Sequence, residues 1–318
     1  MSYEELARMV LKGDRRSIAR AITLIENNQP EAQQMMSQLY RHGGKAHVIG
    51  VTGPGGCGKS TLVGKLVKEF RHKNKTVGVI AVDPSSPFTG GAFLGDRIRM
   101  QEFSADEGVF IRSMATRNNL GGLARATKDA VRVLDASGKD VIIVETVGAG
   151  QSEVDIIKVA HTILVVLAPG LGDEIQAVKA GIMEIGDIFV VNKADRENAD
   201  RAVIDIRTML EMNSGTQAWK PSVVKTVAIE GKGVSQLVEK IEEHRKYLEK
   251  GAFASRRREQ VEIEFFEVLR QKIEESFLND LKKKREFNEI LEKILARKVD
   301  PYTAAEGIIA KKLKNSKD

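Results

Sequence analysis

Short continuous apolar runs alternate with helical stripes through the middle of the chain, and this alternation predicts most of the fold. The runs His47–Val51, Thr76–Val82, Val109–Ile111, Val141–Val144, Ile163–Leu167, Ile188–Val191 and Val223–Ala228 read as strands. Most of them lack the in–out alternation of a half-exposed sheet, so they suit strands buried on both faces of a largely parallel sheet. Ser60–Arg71 and Leu123–Leu134 read as helical connections between them, the layout of a doubly wound α/β domain. Ahead of this region, Leu6, Met9 and Val10 share one helical face and Ile18, Ile22 and Ile25 another. Asn28-Gln29-Pro30 breaks the pattern, and Arg41-His42-Gly43-Gly44 reads as a hinge. From about Glu249 the strands stop. Val261, Phe265, Leu269, Ile273, Phe277 and Leu281 step by four, and Ile290, Leu291, Ile294 and Leu295 resume the stripe. The expected organisation is therefore a helical N-terminal extension over 1–44, an α/β domain over 45–249 and a helical region over 250–318.

Gly53-Pro54-Gly55-Gly56-Cys57-Gly58-Lys59-Ser60-Thr61 matches the G-x-x-x-x-G-K-[ST] phosphate loop, with an apolar run before it and a helical pattern after it. The glycines let backbone N–H groups converge on phosphate oxygens, and the following helix points its positive end at the same anion. Lys59 is placed to reach the β- and γ-phosphates, and the Ser60 hydroxyl to bind Mg²⁺. Cys57 occupies a free position of the loop and reads as a small spacer. The middle domain is thus a P-loop NTPase domain.

The base is read from Asn192-Lys193-Ala194-Asp195, which follows the run Ile188–Val191. Guanine presents N1–H and a 2-amino group on one edge, and the Asp195 carboxylate can accept from both. Adenine has no N1–H and no 2-amino group, so the acid would be left unmatched, at a cost of about 1.5–3 kcal/mol per missing charge-assisted bond. Asn192 is expected to tie this loop to the phosphate loop, and the Lys193 stem to cover the base. Val227-Ala228-Ile229, after the last strand, is placed to give a backbone N–H to guanine O6. GTP, rather than ATP, is the expected nucleotide.

Glu145 ends the apolar run Val141–Val144 and precedes Thr146-Val147-Gly148. An acid there orients Mg²⁺ directly or through water, and the Gly148 N–H can sense the γ-phosphate. Most GTPases carry Asp at this position. Asp83, in Asp83-Pro84-Ser85-Ser86, and Asp96, in Gly95-Asp96-Arg97, are two further acids for the metal, with a turn-forming and a helix-capping role as their plainer alternatives. Gly148 is followed by Ala149-Gly150-Gln151, so the usual water-positioning Gln is displaced or absent. Lys59, Asp96, Glu145 and Gly148 are the expected catalytic set, with hydrolysis slow in the isolated protein and raised by a partner.

Composition narrows the alternatives. Of 318 residues, 42% are hydrophobic and 30% charged, which excludes wholesale disorder. Aromatics are only 5%, which argues against base-stacking platforms, and the net charge of +6 is spread along the chain, so no nucleic-acid partner is expected. A single cysteine excludes an internal disulfide and a cysteine-cluster metal site. The five histidines are scattered in sequence. The N-terminus carries acid where a signal peptide carries base, and no apolar run approaches the roughly 20 residues of a membrane span. The expectation is a cytoplasmic protein without a membrane partner.

Taken together, the phosphate loop, Asp83-Pro84-Ser85-Ser86, Gly90 to Arg97, Glu145-Thr146-Val147-Gly148-Ala149-Gly150-Gln151 and Asn192-Lys193-Ala194-Asp195 resemble the MeaB/ArgK family, the GTPases associated with methylmalonyl-CoA mutase. The resemblance spans nearly the whole chain. It implies a G-protein chaperone whose GTP cycle gates cofactor loading of an adenosylcobalamin-dependent acyl-CoA mutase and protects that enzyme from inactivation. It also implies a homodimer joined through the C-terminal helices, a use that suits the stripe from Val261 to Leu281. Finally, it implies a third switch segment over 170–179, with Asp173, Gln176 and Lys179 at the switch positions. Two rivals share the phosphate loop: a metallochaperone-type maturation GTPase, which wants a His/Cys metal site, and a kinase acting on a transport-system binding protein.

Overall fold

The computed structural model describes residues 1–84, 101–103, 105–116, 122–146, 156–170, 182–212, 219–282 and 285–315. Its strands are β1 (His47–Thr52), β2 (Val77–Pro84), β3 (Val109–Thr116), β4 (Val141–Glu145), β5 (Thr162–Leu167), β6 (Ile188–Val191) and β7 (Ser222–Lys225). Its helices are α1 (Tyr3–Leu11), α2 (Arg15–Glu26), α3 (Pro30–Leu39), α4 (Lys59–His72), α5 (Gly122–Ala136), α6 (Ile182–Ile185), α7 (Ala199–Met212), α8 (Val234–Tyr247), α9 (Phe253–Lys282), α10 (Arg285–Leu295) and α11 (Pro301–Asn315). The strands form one sheet in the order β3-β2-β4-β1-β5-β6-β7, and every pairing is parallel. This is the expected α/β P-loop architecture. β1 lies between β4 and β5, so the loop leaving it emerges where the chain order reverses, the place at which open α/β sheets bind ligands.

The continuous apolar runs follow from burial on both faces. Ile163, Val165 and Leu167 of β5 enter one hydrophobic cluster, and Leu164 and Val166 enter the other. The first cluster is closed by α1, α2, α3, α5 and α7, the second by α4 and α8. Two strand ends differ from the sequence expectation by more than two residues, those of β3 and β7. β3 continues to Thr116 because it is an edge strand that accepts polar residues: the Arg112 guanidinium donates to Glu26 and, at 3.0 Å, to Thr23 of α2. β7 stops at Lys225 because the chain turns away, with the Val227 N–H donating to the Lys232 carbonyl at 3.0 Å.

The chain divides into two units, Met1–Arg257 and Arg258–Asp318. The first includes the N-terminal helices. Leu6, Val10, Ile18, Ile22 and Met35 lie in the same cluster as the sheet residues Val48, Ile80 and Ile142. Local chemistry fixes these helices: Ser2 caps α1, Asp14 accepts from the Ser17 N–H at 2.7 Å to cap α2, and Pro30 opens α3. The glycine segment expected to be a hinge is pinned instead. The N–H groups of Gly44, Lys45 (3.1 Å) and Ala46 (2.9 Å) all donate to the Asp135 carboxylate at the end of α5. In the second unit Val261, Phe265, Leu269 and Ile273 of α9 are exposed, while the side chains of Phe277 and Leu281 lie outside the description. Among the described residues no helix is long and apolar enough to cross a membrane.

Candidate functional site

β1 ends at Thr52, and the phosphate loop runs from Gly53 to Gly58 before α4 starts at Lys59. Gly53 has φ +138°, and a Cβ there would lie 2.1 Å from the Val166 carbonyl oxygen, a backbone atom that cannot give way. Gly58 has φ +94° and stands at the N-terminus of α4, where no side chain caps the helix. The first amides of α4 and its positive end are therefore directed at the loop. Lys59 is buried, and its Nζ donates to the carbonyls of Gly53 (2.7 Å) and Pro54 (3.0 Å). An ammonium group has three donors, so a phosphate oxygen can take the one that these carbonyls do not use. Cys57 is fully buried, and burial raises its thiol pKa, so at neutral pH it stays a thiol and acts as a spacer.

Register brings the acid to this loop. Val51 pairs with Glu145 across β1 and β4, and the Thr146 N–H donates to the Val51 carbonyl at 3.0 Å. Behind the pair, the Thr146 hydroxyl donates to the Thr52 hydroxyl at 3.1 Å, both side chains being buried. Glu145 is thereby held where its Oε1 accepts from the Ser60 hydroxyl at 2.6 Å. A hydroxyl and a carboxylate side by side are hard oxygen donors of the kind that Mg²⁺ takes together with phosphate oxygens and water. Asp83 lies on β2 two residues beyond Ala81, the register partner of Glu145, so the backbone carries it to the same edge of the sheet. Asp96, Gly148, Asp173, Gln176 and Lys179 lie outside the described residues.

On the other side of the loop Asn192 acts as a junction. It follows β6 and is almost wholly buried. Its Nδ2 donates to the Cys57 carbonyl at 2.9 Å, while its Oδ1 accepts from the Thr226 hydroxyl (3.1 Å) and the Ala228 N–H (3.0 Å). One amide side chain thus ties the phosphate loop to both loops expected to hold the base. Gly58 is required for the same reason, since a Cβ there would approach Asn192 Nδ2 to 2.5 Å. Lys193 has φ +56° and bends its stem back over the loop, donating from Nζ to the Gly56 carbonyl at 2.6 Å. Asp195 is exposed beside it. In the stretch Val227–Ile229, expected to give a backbone N–H to guanine O6, the Ala228 N–H donates to Asn192 and the Val227 N–H to the Lys232 carbonyl. Thr226 is a junction residue that motif reading passes over. Its one sequence signal is its place at the end of the last strand, directly before Val227.

The histidines are less scattered than the sequence suggests. His47, His161 and His244 converge at the N-terminal ends of β1 and β5, with the rings of His47 and His161 stacked at a centroid distance of 6.1 Å. Among the described residues no group of three or more His, Cys, Asp or Glu side chains could hold a metal ion, so the metallochaperone alternative gains no site there.

A phosphate loop at the switch point of a parallel sheet, with a serine on a strand-end acid and Asn192 joining the loops, defines a P-loop GTPase. The family described as "Methylmalonyl Co-A mutase-associated GTPase MeaB" matches residues 18–282, and the chain belongs to that family. A relative from Pyrococcus horikoshii is 51% identical over 316 residues, covering 97% of this chain and 98% of its own. GTPase ArgK of Escherichia coli is 34% identical over 293 residues, covering 89% and 87%. The crystal structure of an LAO/AO transport system kinase superposes with a TM-score of 0.71 at 26% identity, covering 97% of this chain and 96% of its own.

Proposed function

We propose that this GTPase is a nucleotide-switched chaperone for an adenosylcobalamin-dependent acyl-CoA mutase. The observation that carries the nucleotide half of this reading is the Asn192 junction, which ties the anion loop to the base loop through three hydrogen bonds. The amides of Gly53 to Thr61 and the Lys59 ammonium bind the phosphates, and the exposed Asp195 carboxylate accepts from N1–H and the 2-amino group of guanine. The Lys193 stem covers the ring, and Val227–Ile229 closes the remaining side of the pocket. Ser60 and Glu145 are the residues that would hold Mg²⁺, with Asp83 and Asp96 as further acids. The metal, when bound, supplies charge neutralisation at the β- and γ-phosphates.

The partner half rests on the family's own description and on the quoted motif stretches. Gly148 and the segment with Asp173, Gln176 and Lys179 are the elements that report the nucleotide state to the mutase. The exposed stripe of α9 suits a homodimer, since contiguous apolar surface on a helix calls for cover. With no Gln directly after Gly148, the attacking water lacks its usual orienting group, and hydrolysis is slow until the mutase docks. Adding the mutase to the GTPase in a single-turnover assay tests this. The proposal expects faster release of inorganic phosphate as the sole phosphorylated product besides GDP. An unchanged rate, or transfer of the label to protein, contradicts it.

A further inference from the structure

Three strands that lead to the pocket start from one polar cluster at the N-terminal end of the sheet, opposite the pocket. His47 opens β1, Thr162 opens β5, and Asp187 directly precedes β6. Thr162 Oγ1 lies 2.8 Å from both His47 Nε2 and His244 Nδ1. His244, in the last turn of α8, brings Nε2 to 3.4 Å from Asp187 Oδ1. Asp187 gathers the remaining contacts. Its Oδ2 accepts from the Ile163 N–H at 2.8 Å, its two carboxylate oxygens accept from Arg256 Nη1 at 3.1 and 3.2 Å, and its backbone carbonyl accepts from Trp219 Nε1 at 3.0 Å. Arg256 stands near the start of α9, the helix that bears the exposed apolar stripe. From Asp187 the chain runs through Ile188–Val191 and arrives at once at Asn192. Those four residues are completely buried and paired on both sides, so no slack separates the carboxylate at one end from the junction at the other.

We infer that Asp187 is a positioning residue for guanine recognition and that Arg256 sets its place, so that the root of α9 is tied through β6 to the Asn192–Asp195 loop. This rests on reading that loop as the base site. Without the guanidinium, the Asp187 carboxylate loses its charge-assisted partner and turns toward water or toward His244, drawing on the Ile163 amide and the head of β6. A short strand held on both flanks moves as a rod, and a shift of about 1 Å at its far end takes the Asn192 contacts out of hydrogen-bonding range. An Asp187 that merely satisfied amides at the strand starts would change melting temperature and leave base preference alone. Trp219, the single tryptophan, donates to Asp187 and lies tilted against His244 at a ring-centroid distance of 4.6 Å, so its emission reports on this cluster directly.

The test compares GDP with inosine diphosphate, which lacks the 2-amino group, on the full chain with magnesium, in wild type, Arg256→Gln and Asp195→Asn. Wild type is expected to prefer GDP, and GDP is expected to alter Trp219 emission. Arg256→Gln is expected to weaken GDP about fivefold, the size of one lost hydrogen bond, and to lower the GDP-to-inosine diphosphate ratio and the Trp219 response. Asp195→Asn separates the two readings. If it leaves the ratio intact, the base assignment fails, and the inference with it. If it abolishes the ratio while Arg256→Gln leaves GDP affinity within about twofold and the Trp219 response unchanged, the Arg256–Asp187 link is overturned and the base site stands. Should Arg256→Gln not fold, Asp187→Asn carries the same comparison with the same outcomes, since its amide oxygen still accepts from the Ile163 N–H.

Discussion

Replacing Asn192 by alanine removes three hydrogen bonds from a side chain that is only 2% exposed. Each bond contributes a net of about 1 kcal/mol, and the Cys57 carbonyl, the Thr226 hydroxyl and the Ala228 N–H are left without this partner in a dry setting. The expected loss of stability is therefore about 3 kcal/mol, toward the upper end for a single substitution. The affinity loss follows from a different argument. The bonds join the two loops within the protein itself, so their removal unties the phosphate loop from the base loop, and the ligand must then order both. That lowers GDP affinity by about one to two powers of ten. Asn192→Asp refines the test, since the carboxylate keeps the acceptor role toward Thr226 and Ala228 but faces the Cys57 carbonyl with a second acceptor. A protonated acid can still donate there, and burial raises the pKa of such a carboxyl. The folded pKa then lies above the unfolded one, so stability is retained at low pH and lost as pH rises through the folded value. Urea unfolding at pH 5 and pH 7.5, with GDP titration of the folded protein, gives the readout. If Asn192→Ala stays within about 0.5 kcal/mol of wild type and binds GDP within about twofold, the junction argument is refuted.

Acid stability provides a further prediction. Burial holds the His47 and His244 rings below the ordinary histidine range and brings His161 to about 4. The neighbouring charges are mixed: Arg245, Arg256 and Arg257 disfavour protonation, while Asp187 favours it at His244 and Asp135 at His161. With folded values below the unfolded value of about 6.5, the unfolded chain takes up protons that the native state refuses. Stability should be level above pH 7 and fall between pH 6.5 and 4, by about 3 kcal/mol from His161 alone. Urea midpoints that do not change over that window would contradict it. The α9 stripe yields another: Phe265, 62% exposed, is expected to sit in a homodimer contact, so Phe265→Asp should halve the mass seen by light scattering and leave GDP affinity as it was. A monomeric wild type would sink that expectation.

The parts of the molecule that were plain in the sequence are those in which one local rule decides. Strand β5 reads as Ile163–Leu167 and is observed as Thr162–Leu167, because a strand covered on both faces must be apolar throughout. The phosphate loop and Asn192 carry their chemistry in short, ordered spacings. What stayed hidden depends on partners far away in the chain. The polar tail of β3 makes sense only once Arg112 meets Glu26, and Gly43-Gly44 becomes an anchored corner only because Asp135 lies beneath it. Three histidines separated by long stretches of sequence form one cluster because the starts of β1 and β5 and the end of α8 meet at one end of the sheet. Thr226 joined the pocket through a hydroxyl that any strand-end threonine carries.

The central claim is that a carboxylate at Asp195 reads the edge of the purine. Calorimetry of wild type and Asp195→Asn with GDP and with xanthosine diphosphate, magnesium present, tests it most directly. An amide in place of the acid can donate to the extra carbonyl of xanthine and no longer accepts both guanine donors, so the preference should invert from guanine to xanthine. Retention of the guanine preference by Asp195→Asn would contradict the account.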